Sequence, residues 1–537
     1  MLPRYGRKIA NVFRFFQNRK AFLTPLTTRG TAAAVKLLRH AAVAALVLAY
    51  IWTFRLPVTQ LDDAFISYRY ALNLATGHGL VFNPGEYVEG FTNLLWTLLI
   101  AAGIALGGEA EALGHWLSVV FGAASLVACY LYALALLPRR AAAWALLAPL
   151  GLFCANSFVA WTTSGLETPL YLFLTTMAAL TLLQGHRFAC AGLCVLALMT
   201  RPDGALLAAC LLGTDAVTAL ATGQRTSWRT RLKDAAGPCM VFAAGLLALT
   251  LFRLWYYGDP LPNTFYAKVG GIPVSAGILY LRNFLVDGPA LLVPGCVLAA
   301  CSLPRFRPAA IFIIVNAIYV VAIGGDVFAL GRFLLPALPL MLGGAIAGGA
   351  RARDRRRAAG GMLLALVPAG MAVSLYAIAP LRWGPPDYDF RLSPTVFPHS
   401  AKREAARIHW IFSPDEDAQK HVQLAAIRQV RPPVRSMALI GIGKLGYWGP
   451  EFTIIDMVGL ADRHIAHSGK VVAGTYIAPG HSRTDSTYVL SRKPDLIELP
   501  KRGTPFLPLP VLLDMWNNPA LDQNYHYVPQ IGAYVRN

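Results

Sequence analysis

The chain has 537 residues, of which 56% are hydrophobic and only 14% charged, and its mean hydropathy is +0.49. Soluble domains carry about 25% charged residues, so this balance excludes a soluble globular protein and indicates a polytopic membrane protein. The formal net charge of +20 does not mark a nucleic-acid binder, because the basic residues flank apolar runs in the positive-inside pattern, where anionic lipid headgroups are their neighbours.

Residues 1–39 form a basic segment, with Arg4, Arg7, Lys8, Arg14, Arg19, Lys20, Arg29, Lys36 and Arg39 ahead of the first apolar run. No small-residue cleavage pattern follows that run, so it reads as a retained span over 40–56. The stretch after it, Leu61 to Asn93, opens on paired carboxylates, Asp62 and Asp63. Acids at a membrane boundary are costly and mark a functional site by default. The next apolar run, 93–106, is short for a span, since a bilayer needs about 20 residues. It is followed by Glu109 and Glu111 and no basic residue, so it reads as an interfacial or re-entrant helix. The first loop then covers 57–114.

Further spans are expected at 115–137, 142–160, 169–184, 187–199, 205–222, 238–257, 284–303, 308–325, 333–350 and 360–380, about eleven in all. The loops with Arg139 and Arg140, Arg225 to Lys233, Arg305 and Arg307, and the run at 351–357 fall on the cytoplasmic side. From about 381 the composition turns polar, Pro-rich and aromatic. Residues 381–537 read as a soluble exported domain of α/β or α+β type. In it SMALIGIGKLGYWG and FTIIDMVGL suggest strand, turn, strand, with further strands in KPDLIEL and YHYVPQIGAYV. All eight cysteines fall in apolar segments or at their edges, the last of them Cys301, without metal-ligand spacing or a disulfide framework.

With this topology the unusual polar loops share one side: the first loop, WTTSGLETP at 161–169, TRPDG at 200–204, YYGDPLPNTFYAK at 256–268, and GGDVFALGRF at 324–333. Lys268, Arg201 and Arg332 suit the phosphate of a lipid-linked donor, arginine through a planar fork and lysine as a point charge. Asp62, Asp63, Glu89, Glu167 and Asp326 offer carboxylates, and one suffices to take a proton from an acceptor hydroxyl. Asn93, Asn263 and Tyr266 are suited to sugar contacts. Plainer roles compete. Asp62 and Asp63 can cap a helix, Glu167 can favour a helix dipole, Arg201 and Asp203 can form a structural pair, Lys268 and Arg332 can snorkel, and the aromatics can form an interfacial belt.

In order along the chain, HGLVFNPGE and EGFTN in the first loop, SGLETP, TRPDG, YGDPLPNTFYAK and GGD with RFLLPALP resemble bacterial GT-C membrane glycosyltransferases. The nearest subgroup is the arabinofuranosyltransferases that use decaprenylphosphoryl-arabinofuranose, of the mycobacterial terminal β-arabinofuranosyltransferase type. The tail stretch 441–466 resembles the same subgroup. The resemblance implies an all-α GT-C membrane domain over 40–380 and an inverting transfer of a pentofuranose from a polyprenyl-phosphate donor to an exported glycan or protein hydroxyl. It also implies a bacterial inner-membrane location with the site on the periplasmic side, and no nucleic-acid partner. The family base maps onto Asp62 or Asp63, with Arg69 and Tyr68 in supporting roles and His464 in the tail motif. Some family members use a divalent cation at such carboxylates; the spacing of residues in this sequence gives no separate sign of one. Rival readings are a GT-C transferase of another lipid-linked sugar, a hexose or aminoarabinose, and a transporter of lipid-linked sugar.

Overall fold

The computed structural model describes residues 28–56, 60–222, 228–268, 274–326, 328, 330–355, 357–383, 414–472, 482–504 and 509–537. Most of the basic segment, 1–27, and much of the start of the expected tail, 384–413, lie outside the described residues.

The first part is a helical bundle. Among the described residues, five helices are long and apolar enough to cross a bilayer: Ala33–Thr53, Ala110–Leu136, Gly204–Ala221, Ala235–Tyr256 and Pro304–Ala322. Two bent pairs raise the number to seven. Shorter apolar helices, Thr168–Leu183, Arg187–Thr200 and Ala358–Ser374, stand at other expected spans. The chain is therefore a multi-pass membrane protein.

Two expected spans are broken. The run 142–160 is a pair, Arg139–Cys154 and Asn156–Thr162, bent by 60° at Ala155. The run 284–303 starts earlier, at Val274, and turns by 73° between Val286 and Pro289. The cause of the second break is local. Gly288 has a φ of 116°, which an L side chain rarely adopts, and Pro289 cannot donate the hydrogen bond that would continue the helix.

The stretch after the first span is not a surface loop. Helix Asp62–Ala75 buries Ala64, Phe65, Ile66, Ser67, Tyr68, Arg69, Tyr70, Ala71 and Asn73. A helix that is covered nearly all round needs partners on every face. The bundle supplies one side, through Trp96, Ile100 and Trp161. The tail supplies the other. Helix Leu94–Ala105 has 12 residues, about 18 Å at 1.5 Å per residue, short of the ~30 Å hydrocarbon core.

The tail strands are β1 (Ser436–Leu439), β2 (Thr453–Asp456), β3 (Lys470–Val471), β4 (Arg483–Thr484), β5 (Leu496–Ile497), β6 (Tyr525–Val528) and β7 (Ala533–Arg536). Five of them form a mixed sheet in the order β2-β1-β5-β7-β6, and β3 and β4 form a separate pair. β1 runs parallel to both β2 and β5, and β6 and β7 form an antiparallel hairpin. The expected strand, turn, strand over 436–459 is corrected to strand, helix, strand, because helix Gly443–Trp448 lies between β1 and β2. Parallel neighbours require such a crossover.

Alternation along the strands explains how the sheet sits. Met437, Leu439, Ile454 and Leu496 face a core shared with Ile66, Tyr70, Phe82 and Phe91 of the first loop. Ala438, Ile455 and Ile497 face the other way, onto Val489, Val511, Leu512 and Met515. Successive strand residues point to opposite faces, so one sheet face closes the tail's own core and the other seals the first loop.

Candidate active site

Asp62 and Asp63 occupy the first turn of helix Asp62–Ala75, after Leu61, which makes no side-chain cap. Adjacent helical residues diverge by about 100°, and the two carboxylates have different partners. Asp62 accepts the backbone N–H of Gly443 at 3.0 Å and that of Lys444 at 2.8 Å. The contact depends on Gly443 lacking a side chain, since a Cβ there would strike the Asp62 carbonyl oxygen. Asp62 thus fastens the tail to the bundle. Asp63 instead acts electrostatically on Lys268 and Arg332.

Those cations belong to a recess built from four loops. Arg332 pairs with Asp326 at 2.8 Å. Arg201 meets Asp203 through two contacts of 2.9 and 3.1 Å and has Glu167 at 3.7 Å. Phe333 lies under both guanidinium groups, 4.4 Å from Arg201 and 4.9 Å from Arg332. Tyr171 covers Arg201 at 5.1 Å, and Trp161 covers Arg332 at 5.2 Å. Desolvation alone would favour neutral arginines, but Asp203 and Asp326 outweigh it and hold both firmly charged. These arginines are 6% exposed.

Lys268 differs. Its side chain is exposed to solvent, although charged groups of several loops lie near it. Its ammonium pKa is pushed below the ordinary lysine value, first by desolvation, with Asp63 opposing the shift and Arg332 adding to it. Of the three expected phosphate-binding cations, Lys268 is the one that faces open space, while Arg201 and Arg332 are wrapped in carboxylates and rings.

Glu167 and Asn93 join the recess from behind. The Asn93 amide donates to Glu167 at 3.0 Å, and its oxygen accepts from Ser67 at 3.0 Å. They buttress Arg201 and leave little of their polar surface for a sugar.

Other expected site residues lie elsewhere. Arg69 is buried and donates to the carbonyls of Phe82, Gly446 and Phe452, and to Asn83. It ties tail to loop. The Tyr68 hydroxyl donates to Gln60 at 2.6 Å and contacts the Gly165 carbonyl. Glu89 forms a buried pair with Arg253, at 2.8 and 3.1 Å. Asn263 donates to the carbonyls of Gly459, Leu460 and Asp462. All four positions are therefore structural ties. Tyr266 stacks on His467 at 4.1 Å and His464 on Tyr488 at 4.0 Å, together on the tail side of helix Asn263–Lys268.

Arg253 escapes the sequence reading, although its signal is present: it is the one charged residue in the apolar segment Ala235–Tyr256, where a charge needs a partner. Among the described residues no three His, Cys, Asp or Glu side chains gather as a metal-ligand set.

Comparison with known proteins bears on this arrangement. A model described as a domain of unknown function (DUF8728) matches residues 408–536. The terminal beta-(1->2)-arabinofuranosyltransferase of Mycobacterium tuberculosis is 32% identical over 251 residues, 42% of this chain and 37% of that protein. Its counterpart from Corynebacterium glutamicum is 29% identical over 325 residues, 52% of this chain and 46% of that one. The aligned part thus spans less than half the length of these curated relatives. Among solved structures, the Archaeoglobus fulgidus oligosaccharyltransferase aligns with a TM-score of 0.50 at 13% identity, covering 77% of this chain and 62% of that one. The fold is GT-C. In this GT-C scaffold the recess sits where the first loop and the other polar loops of the bundle meet the tail.

Proposed function

We propose that the protein is an inverting membrane glycosyltransferase that moves a pentofuranose, arabinofuranose first among candidates, from a polyprenyl phosphate to an exported hydroxyl. The observation that carries this reading is that Asp63 acts on both Lys268 and Arg332, while an apolar groove reaches Leu334, two residues beyond Arg332. The groove has a volume of about 540 Å³ and is lined by residues such as Leu281, Phe284, Ile314, Ile318, Leu334 and Met341. Leu334 follows directly on Arg332 and Phe333, so the groove opens beside the cations.

A polyprenyl chain in the groove brings its phosphate to Lys268, with Arg332 and Arg201 setting the positive field behind it. Asp63 takes the proton of the acceptor hydroxyl as its oxygen attacks the anomeric carbon from the face opposite the phosphate. The bond from that carbon to the phosphate oxygen breaks, and polyprenyl phosphate leaves with its charge met by Lys268. A phosphate leaving group needs no acid, so one carboxylate serves.

The basic loops support an external recess. Arg140 pairs with Asp354 at 2.6 Å, which puts the loops at 139–140 and 351–355 side by side at one end of the bundle. Positive-inside bias assigns that end to the cytoplasm.

The test is transfer from synthetic polyprenylphosphoryl sugars by the purified chain. Asp63→Asn is expected to lower kcat at least about hundredfold, and arabinofuranosyl donors to outcompete hexosyl and aminoarabinosyl ones. Turnover undiminished in Asp63→Asn would refute the base; turnover restricted to another donor would refute the sugar.

A further inference from the structure

A second cavity, of about 550 Å³, lies outside the recess. Its walls come from Glu86 and Val88 of the first loop and from tail residues that include Asp462, His464, His467, Tyr488 and Arg492. Its size falls in the range of small-ligand sites, roughly 300–1,000 Å³.

The groups on its walls are held in place by one another. Arg492 donates to the Tyr488 hydroxyl at 2.9 Å and to Glu86 at 2.9 Å. Tyr488 in turn donates to Asp462 at 3.0 Å. The His464 ring lies flat on Tyr488, with its Nε2 2.9 Å from Asp485. Opposite, His467 lies on Tyr266 with an interplanar angle of 30°, and neighbouring Arg463 is paired with Asp259 at 2.9 Å.

Two features define the chemistry of an occupant. Arg492 is met by Glu86 and Arg463 by Asp259, so neither guanidinium is left over for an anion, and the two further carboxylates already accept hydrogen bonds, Asp462 from Tyr488 and the Ile465 amide, Asp485 from His464 and the Tyr488 amide. What remains is flat ring faces and fork-shaped polar groups with spare acceptors and donors. Ring faces suit the C–H face of a sugar, and carboxylates and guanidinium forks suit vicinal hydroxyls.

Its position links it to the recess. Tyr266 and Lys268 are two residues apart on helix Asn263–Lys268, hence about 3 Å along the axis and about 200° around it. Tyr266 packs on His467 of the cavity wall, whereas Lys268 lies in the field of Asp63 and Arg332, so that helix stands between the two groups.

We infer that this cavity is a saccharide subsite that holds a neutral glycan chain, so that the chain's end passes that helix and presents a hydroxyl to Asp63. The inference rests on the transferase reading above and narrows its acceptor to a glycan. The tail is then the acceptor-holding element, and the bundle the donor-holding one.

The test uses the full chain in nanodiscs, with a linear arabinofuranosyl pentasaccharide and a serine-rich peptide as probes, followed by saturation-transfer NMR. The pentasaccharide is expected to bind, and His464→Ala and Arg492→Met to weaken it at least tenfold. If His464→Ala unfolds the tail, His467→Ala reads the opposite wall of the same cavity. No binding by wild type, equal binding by the variants, or binding of the peptide in place of the sugar overturns the inference. The two readings fail separately. Binding without any transfer from a polyprenylphosphoryl sugar refutes the transferase, whereas Asp63-dependent transfer with unchanged binding by both cavity variants refutes the subsite.

Discussion

The Asp62 carboxylate and the Gly443 amide meet at 3.0 Å although 381 positions separate them in the chain. With the Lys444 amide at 2.8 Å, this is a charge-assisted clamp between the start of helix Asp62–Ala75 and the crossover of the tail sheet. Losing one partner of such a bond costs about 1–3 kcal/mol. Asp62→Ala is therefore expected to loosen the tail without removing the proposed base, Asp63. Protease cleavage within the tail should accelerate about tenfold, while kcat falls far less than in Asp63→Asn. Gly443→Ala, which pushes a methyl group into the Asp62 carbonyl, should reproduce the loosening. Equal loss of kcat in Asp62→Ala and Asp63→Asn would remove the division of labour between the two acids.

Glu89 and Arg253 lie deep between the first loop and the bundle, with side chains 3% and 8% exposed. Burial pushes the Glu89 carboxyl up, and Arg253 draws it back. Removing one member of a buried pair typically costs about 3–5 kcal/mol, because the other charge is left without compensation. Arg253→Met should lower the thermal midpoint of the detergent-purified protein by several degrees. The double variant Glu89→Gln with Arg253→Met should recover much of that loss. No recovery would show that the pair acts through packing rather than charge.

Asp456, at the end of β2, is fully buried, and desolvation lifts its pKa to about 7. Its carboxylate accepts the amides of Val458 and Ala461, which lessens the rise without cancelling it. The sign follows from proton linkage. Between the unfolded value of 3.8 and about 7 the folded state binds more protons, so stability falls as pH rises through that window and levels off above it. Asp456→Asn, which stays neutral, should flatten the slope. The check is the thermal midpoint between pH 4 and pH 8 for both proteins, and an unchanged slope in the variant would assign the pH dependence to another group.

Much of this was legible in the chain. Apolar run length and the sign of loop charge give the bundle, and they bring together the loops that carry Asp63, Arg201, Lys268, Asp326 and Arg332. The residues that mislead are those whose partner lies hundreds of positions away. Arg69 resembles a phosphate ligand because nothing local reveals the carbonyls of Gly446 and Phe452 that fill its donors. Asn263 resembles a sugar contact for the same reason. Likewise the division between Asp62 and Asp63 depends on the tail, whose docking no hydrophobic period reports. The break at Gly288 and Pro289 had a local signal, Gly followed by Pro inside an apolar run, that run length alone overrides.

Lys268 supplies the last expectation. Its ammonium titrates below the ordinary lysine value of 10.5 because the recess desolvates it more than Asp63 compensates. Only the charged form holds a phosphate, so donor affinity should be full at neutral pH and fall as pH rises through the lowered pKa, earlier than an unperturbed lysine would allow. Lys268→Met should raise the donor KM at least tenfold and abolish that alkaline limb. Lys268→Arg keeps the charge but replaces a point charge with a planar fork, and should restore part of the affinity with the limb moved to higher pH. Donor KM measured from about pH 7 to about pH 10.5, the span from neutrality to the ordinary lysine pKa, is the check for the three proteins. An alkaline limb that persists in Lys268→Met would assign phosphate binding to another group, and the partly shielded guanidinium of Arg332 would then be the next one to vary.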